Sequence, residues 1–526
     1  MTGLRRGLTM RDQVMIGVVG TVGTGVLFST AGMAAVAGPG VVIGWLIGAI
    51  MYGFIMMTYI ELAYLYPEAG GPTRYSLYSH GRMTNLISSM SGLIWYLLIP
   101  PIEALAVVEG INYFWPHLIG SSGTPTLVGG ILGAIFLLLF VPFNYYGIKG
   151  FSKTTNALGF VKLVLYVVAA VGFIVVAHFG NFVHFGGLAP FGFNGIFLAV
   201  PLGMFAYGGI RVVADYAEEL EDPSSVRRAF IWILAGQTAI YLLFAVGFVV
   251  SLNWSALKLH TGAWSSISSI PGNPFLAIAG ASHINWVIPV TIIIAIIGPF
   301  MTGYIYLGAG SRVLLAVSRS GFVSARLREI SDDYAIPLWA LGALAVIGAI
   351  LAFVSAPFPT IYTLIGDAVV AGYLGLATNS VVMFALRKNG RTPPSPVWGG
   401  SVFAVLAFAS VSLIVYWSGW PAVPYAVALI ALSTLIFSLV YKVKHQLKNA
   451  MWYMLYILFL TLMTYLTGVA APKVFNIDLG SAIVVLISIA VFLPWGVASR
   501  MGRSEMEAAH QYVGQSIPAE GGSLSS

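Results

Sequence analysis

Cysteine is absent from the 526 residues, which removes disulfides, thiolate metal ligands and cysteine nucleophiles and leaves the redox compartment unread. Charge is scarce as well: Asp, Glu, Lys and Arg make up 8% of the chain against 58% hydrophobic residues, too few to cover a water-soluble body of this size. A basic patch interleaved with aromatics is also missing. The formal net charge of +7 is dispersed between apolar runs, which excludes a nucleic-acid partner. A membrane enzyme of the prenyl-transferase kind would need two acidic metal-binding motifs facing one cavity. The nearest acid pair, Asp332-Asp333, lies in a basic loop with no second acidic motif to match it, so neither an enzyme, a metal site nor a cofactor is read. No soluble output domain of a sensor or receptor is seen.

What is present is a train of apolar runs about 20 residues long, the length that spans a bilayer. They fall at 14–37, 41–65, 86–114, 125–146, 157–179, 193–217, 230–253, 284–317, 337–355, 358–386, 397–418, 424–441, 451–470 and 480–499. These fourteen runs, with a mean hydropathy of +0.90, predict an all-α polytopic protein whose surroundings are a lipid bilayer. Threaded from a cytoplasmic N-terminus, 21 of the 25 Lys and Arg residues fall inside, Lys258 and Lys473 outside, and Lys162 and Arg211 within spans. That asymmetry predicts a multi-pass plasma-membrane protein with both termini cytoplasmic. Arg5, Arg6 and Arg11 before the first run, and Ala35-Val36-Ala37 within it, imitate a signal peptide. Glycines, Thr21 and Thr24 interrupt its apolar core, however, so it reads as a retained span. The chain divides into a cytoplasmic N-terminus (1–13), a ten-helix core (14–386), four additional helices (397–499) and a polar, glycine- and serine-rich tail (504–526) expected to be disordered.

Two runs are broken by glycine, one at Gly20-Thr21-Val22-Gly23-Thr24-Gly25 and one at Gly203-Met204-Phe205-Ala206-Tyr207-Gly208-Gly209, in the first and sixth spans. Lipid cannot solvate the backbone groups that a break frees, so such breaks line protein-enclosed cavities. Matched breaks in two halves point to a transporter's substrate site. Amides near Gly23, Thr24 and Gly25 form the partially positive end of a half-helix, suited to a carboxylate. Carbonyls from Phe205 to Tyr207 form the opposite end, suited to an ammonium. Together they match a zwitterion. One glycine cluster alone reads as close helix packing, as Gly44 and Gly48 do, and a dinucleotide fingerprint would need a preceding strand.

Ionisable residues inside spans are costly and mark function by default. Glu103, beyond Pro100-Pro101, either faces the pocket and meets the substrate or pairs with Arg211. The prolines are expected to interrupt the helix and re-aim it. Glu109 reads as a rim residue, and Asp367 as the start of a helix after an external turn. Arg211 and Asp215, four residues apart, are expected to form an intrahelical ion pair. Lys162 has no acid at helical spacing. It either snorkels to the interface or points inward, where a buried amine gives up its proton more readily than a hydrated one and serves as a proton carrier.

These residues resemble the amino acid, polyamine and organocation transporter superfamily over spans 1 to 10. The likeness rests on the break from Gly20 to Phe28, on Glu61 through Tyr66-Pro67-Glu68-Ala69-Gly70-Gly71-Pro72 to Tyr75, on Phe205-Ala206-Tyr207-Gly208-Gly209 with Ala217-Glu218-Glu219-Leu220-Glu221-Asp222-Pro223, and on Ser311-Arg312, Ser318-Arg319-Ser320-Gly321 and Pro337. The resemblance implies a leucine-transporter-type five-plus-five inverted repeat with discontinuous helices 1 and 6, alternating access, and amino acid or amine substrates. It implies substrate binding at Val22, Gly23, Thr24, Gly25, Glu103, Phe205, Ala206, Tyr207 and Gly208, and proton coupling at Lys162, with Val19, Val22 and Thr302 as its ion-site contacts. Arg211 departs from the acid that many members carry just after the span 6 glycine, and fourteen spans depart from the common twelve. The leading expectation is therefore a proton-coupled amino acid permease. An exchanger or facilitator, in which Lys162 stays charged and mimics a bound ion, is the competing one, distinguished by uptake that ignores a pH gradient. Oligomeric state is unread.

Overall fold

The computed structural model describes residues 3–175, 178–282, 285–355, 361–443, 446–467 and 474–517. They form an all-α polytopic membrane protein, with two isolated bridges as the only β pairing among the described residues. Twelve helical stretches are long and apolar enough to cross a membrane, and Leu338–Val354 is a shorter apolar helix. The first stretch, Gly25–Leu65, folds back at Gly38-Pro39-Gly40, where Gly38 adopts φ 61°, so it holds two of the expected spans. Each of the fourteen apolar runs thus has a helical counterpart.

In chain order, α1 consists of Met10–Val19 and, beyond its break, Gly25–Ser29 with Thr30–Ala37. Then come α2 (Val41–Leu65), α3 (Leu77–Ile111), α4 (Leu127–Tyr145), α5 (Gly147–Val175), α6 (Gly192–Asp215), α7 (Val226–Ser251), α8 (Val287–Arg319), α9 (Leu338–Val354) and α10 (Ile361–Lys388). Four more follow: α11 (Gly400–Ser418), α12 (Ala422–Val440), α13 (Leu447–Thr467) and α14 (Ile477–Ala498). Thr9 starts α1 with a reciprocal cap, taking the Asp12 amide on its hydroxyl while its own amide donates to Asp12 Oδ2 at 2.8 Å.

The two broken helices cross antiparallel. The first half of α1 packs on the second half of α6, and the second half of α1 on the first half of α6. Helix α3 lies along both α8 and α10, and the four added helices pack against α2, α3 and α10. Large apolar side chains stay exposed on the outer helix faces, among them Phe160, Trp232 and Leu439, where lipid replaces water as the surroundings.

Three local expectations are corrected. Pro100 and Pro101 do not interrupt α3, which runs unbroken past them to Ile111. Helical structure also begins at Leu77, before the apolar run at 86 and with a kink at Gly81 (φ 79°), because Ser79, His80, Thr84 and Asn85 are buried against protein and hydropathy discounts them. Residues 504 to 517 of the supposed disordered tail are ordered: α15 (Arg503–His510) and the segment after it pack on the face that carries the basic loops. The anchors are hydrogen bonds to Arg74, Glu68 and Arg319, and residues 518–526 lie outside the described residues.

Candidate functional site at the two helix breaks

Helix α1 loses its ladder at Gly20, and the Val19 carbonyl turns to side chains. Lys162 Nζ, from α5, donates to Val19 O and to Gly298 O of α8 at 2.8 Å each, and to Thr302 Oγ1 at 3.2 Å. Thr302 also donates to Val19 O at 3.4 Å. The amine is 1% exposed and points inward, so it does not snorkel. Three donors meet three acceptors, the full capacity of an ammonium. Val22, expected beside it, is not among its partners, which are Val19 O, Gly298 O and Thr302 Oγ1. Gly298 was missed because a main-chain carbonyl leaves no mark in sequence.

On the other side of the break, Thr24 Oγ1 donates to Glu103 Oε2 at 2.6 Å and the Thr24 amide donates to the same oxygen at 3.3 Å. Glu103 therefore caps the second half of α1 with its own carboxylate. Of the two readings open in the sequence, the Arg211 pairing fails: the two form no ion pair among the described residues. Gly23 keeps this corner open, because a Cβ there would lie 3.2 Å from Glu103 Oε2 and crowd the Thr302 side chain.

Gly25 and Ala206 bring the two breaks into contact. A Cβ on Gly25 would stand 2.7 Å from the Ala206 Cβ. Around the 3-10 turn Phe205–Tyr207, two freed carbonyls are already taken: Tyr373 donates to Met204 O at 3.1 Å and Tyr241 to Ala206 O at 2.6 Å. Phe205 packs on Trp95. The Tyr207 ring turns to α2, where its hydroxyl donates to Trp45 O at 2.9 Å and it stacks on Tyr52, so its backbone and not its ring lies at the junction. At Gly208 a Cβ would press on Tyr306 and Trp95.

The expected Arg211–Asp215 ion pair is absent. Asp215 instead accepts from the Tyr96 hydroxyl, while Arg211 Nη1 donates to Gly372 O at 3.3 Å. The guanidinium sits 5.4 Å from the ring centres of both Trp95 and Tyr96. Glu109 is buried near the end of α3, and Asp367 lies in the second turn of α10, not at its start.

The loops that carry the remaining motifs close the basic face through buried ion pairs. Arg74 meets Glu68 at 2.6 Å, Arg312 meets Glu219 at 2.8 Å, and Arg319 meets Glu218 at 2.5 Å. Burial pushes the Glu218 carboxyl up, but the hydrogen bond and charge of Arg319, with the Ala69 amide, outweigh it and hold the group below the usual range. Glu219 goes the other way, raised by burial that Arg312 does not fully offset. The sequence motifs mark these residues, but not which acid takes which arginine across roughly a hundred residues.

Residues 13–414 match the family model described as amino acid permease. The aspartate-proton symporter of Bacillus subtilis (strain 168) is 29% identical over 484 residues, covering 88% of this chain and 90% of that protein. The glutamate/serine transporter AimA of the same organism is 26% identical over 520 residues, 95% of each chain. The branched-chain amino acid permease BcaP, also from that organism, is 24% identical over 475 residues, 85% of this chain and 95% of that protein.

Proposed function

The chain belongs to the amino acid permease family, and from that premise we propose that it accumulates amino acids by alternating access in symport with protons, using Lys162 as the proton carrier. The observation that carries the proposal is the Lys162 ammonium bound to Val19 O at the α1 break, where α1, α5 and α8 meet. An ammonium there ties α1 to α5 and α8. A neutral amine has one hydrogen fewer and no charge, so it gives up at least one of its three contacts and holds the remaining carbonyls less tightly, which lets α1 move against its neighbours. The similarity to the aspartate-proton symporter of Bacillus subtilis supports coupling to protons.

In the same reading, amides around Gly23, Thr24 and Gly25 receive the substrate carboxylate and the α6 carbonyls around Phe205 and Tyr207 its amino group. The basic face is the cytoplasmic one, with both termini on it, in the plasma membrane. The test is uptake of labelled amino acids into proteoliposomes without sodium, with and without an inward proton gradient. Accumulation above equilibrium that a protonophore abolishes, and that Lys162→Ala lacks, is expected. Wild-type uptake that ignores the gradient but needs amino acid inside overturns symport in favour of exchange.

A further inference from the structure

Four arginines are buried among the described residues. Three of them, Arg74, Arg312 and Arg319, each grip a carboxylate. Arg211, 3% exposed, forms no ion pair among the described residues and spends one hydrogen bond on Gly372 O. A guanidinium has five N–H donors in a fork that fits a carboxylate. Here Nε has no partner, and neither does the nearby indole Nε1 of Trp95. The Asp215 carboxylate acts on Arg211 only from beyond ion-pair contact, and a buried guanidinium whose donors meet no carboxylate is costly in general, so a protein that keeps one in this state has a reason beyond packing.

The position supplies the reason. Arg211 lies in the first turn after the α6 break, and side chains on a helix lean toward its N-terminus, here back toward Phe205–Gly208. Trp95 connects the two places, touching Phe205 and a Gly208 Cβ position on one side and the Arg211 guanidinium on the other. Gly92 leaves room beside it, since a Cβ there would stand 2.8 Å from Arg211 Nη2. From Ala206 to Arg211 the helix rises roughly 7 Å, at about 1.5 Å per residue, and the arginine side chain folds back across part of that.

We infer that Arg211 receives the side-chain carboxylate of an acidic amino acid whose α-groups sit at the α1–α6 junction, which makes the substrate class acidic amino acids. This rests on the reading that the junction binds the substrate. Aspartate or glutamate supplies the carboxylate contact that the guanidinium lacks, and Trp95 Nε1 is a further donor for the same carboxylate. A neutral side chain leaves the guanidinium unpaired, and a cationic one is repelled.

The test is direct binding and proteoliposome uptake with the full-length protein, comparing L-aspartate with L-asparagine and L-glutamate with L-glutamine, pairs equal in shape and different in charge. At least one acid is expected to bind about tenfold or more tighter than its amide, the ratio that about 1.4 kcal/mol produces. In Arg211→Gln that ratio is expected to collapse to within about threefold, and in Arg211→Lys to be intermediate, because an ammonium keeps the charge without the fork. A wild-type protein that carries amino acids but favours the amides overturns the inference and leaves the transport reading standing, as does an unchanged ratio in Arg211→Gln. A wild-type protein that binds none of the four, nor any other amino acid, overturns both. If Arg211→Gln does not fold, the wild-type ratio decides alone.

Discussion

Glu103 occupies, with its own carboxylate, one end of the half-helix where a substrate carboxylate is proposed to bind. With the carboxylate ionised, its 2.6 Å bond from Thr24 is charge-assisted, roughly twice as strong as the same bond to a neutral acceptor. Glu103→Gln keeps the shape and one acceptor oxygen but removes the charge. It is therefore expected to loosen the hold on Thr24, relieve repulsion of the incoming carboxylate and lower the KM for amino acids about threefold to tenfold. Initial-rate uptake checks this, and an unchanged KM removes Glu103 from the binding region. Only part of this chemistry was legible in the sequence. The isolation of Lys162 from any acid at helical spacing is a one-dimensional fact. Gly298 O and the Thr24–Glu103 bond are not, because one is backbone and the other joins residues 79 apart in the chain. The Arg211–Asp215 spacing pointed the wrong way, since Tyr96 of α3 bonds the Asp215 carboxylate while the guanidinium lies against Trp95 and Tyr96.

At the scale of elements, hydropathy located the helices because lipid imposes one requirement on every span, internal satisfaction of its backbone. The breaks were visible for the same reason, as glycines placed where that requirement fails unless protein surrounds them. Hydropathy could not see polar helix ends buried against protein, so residues 77–85, on either side of the kink at Gly81, stayed outside its run. Contact between the breaks is tightest at Gly25 and Ala206. Gly25→Ala adds a methyl that would lie 2.7 Å from the Ala206 Cβ and 3.0 Å from its Cα. Backbone on the far side cannot rotate away, so α1 and α6 must separate, at a general overpacking cost of about 1–3 kcal/mol. The expected result is a folded protein, with a thermal melt in detergent within a few degrees of wild type, whose uptake falls at least about tenfold. Full activity would show that the two breaks do not act as one junction.

The whole molecule is closed on its basic face by elements distant in sequence. The N-terminal segment pairs with the end of α6, where the Gly7 and Leu8 amides both donate to Glu219 O, at 2.9 and 3.0 Å. The C-terminal segment lies over the loop after α2, where Arg74 donates to Tyr512 O and Gln515 O, and the Gly514 amide to Glu68 at 2.9 Å. Composition hid this strap, because its anchors are main-chain groups, which composition does not record. His510 gives it a pH response. Its Nδ1 sits 3.4 Å from the Tyr66 hydroxyl and its ring packs edge-on against Tyr66 and Tyr78. Burial first, and the charge of Arg391 second, lower its pKa from 6.5 to about 4. The undocked strap therefore binds a proton more readily than the docked one between those values, and docking weakens as pH falls from about 6.5 toward 4, with no further His510 contribution below that. Limited proteolysis of the C-terminal segment at pH 7.5 and pH 5 is expected to cut faster at the lower pH once corrected for protease activity. The difference is expected to shrink in His510→Phe, which keeps an aromatic ring against Tyr66 and cannot be protonated. Equal pH dependence in wild type and variant would assign the response to other groups on the same face and detach it from His510.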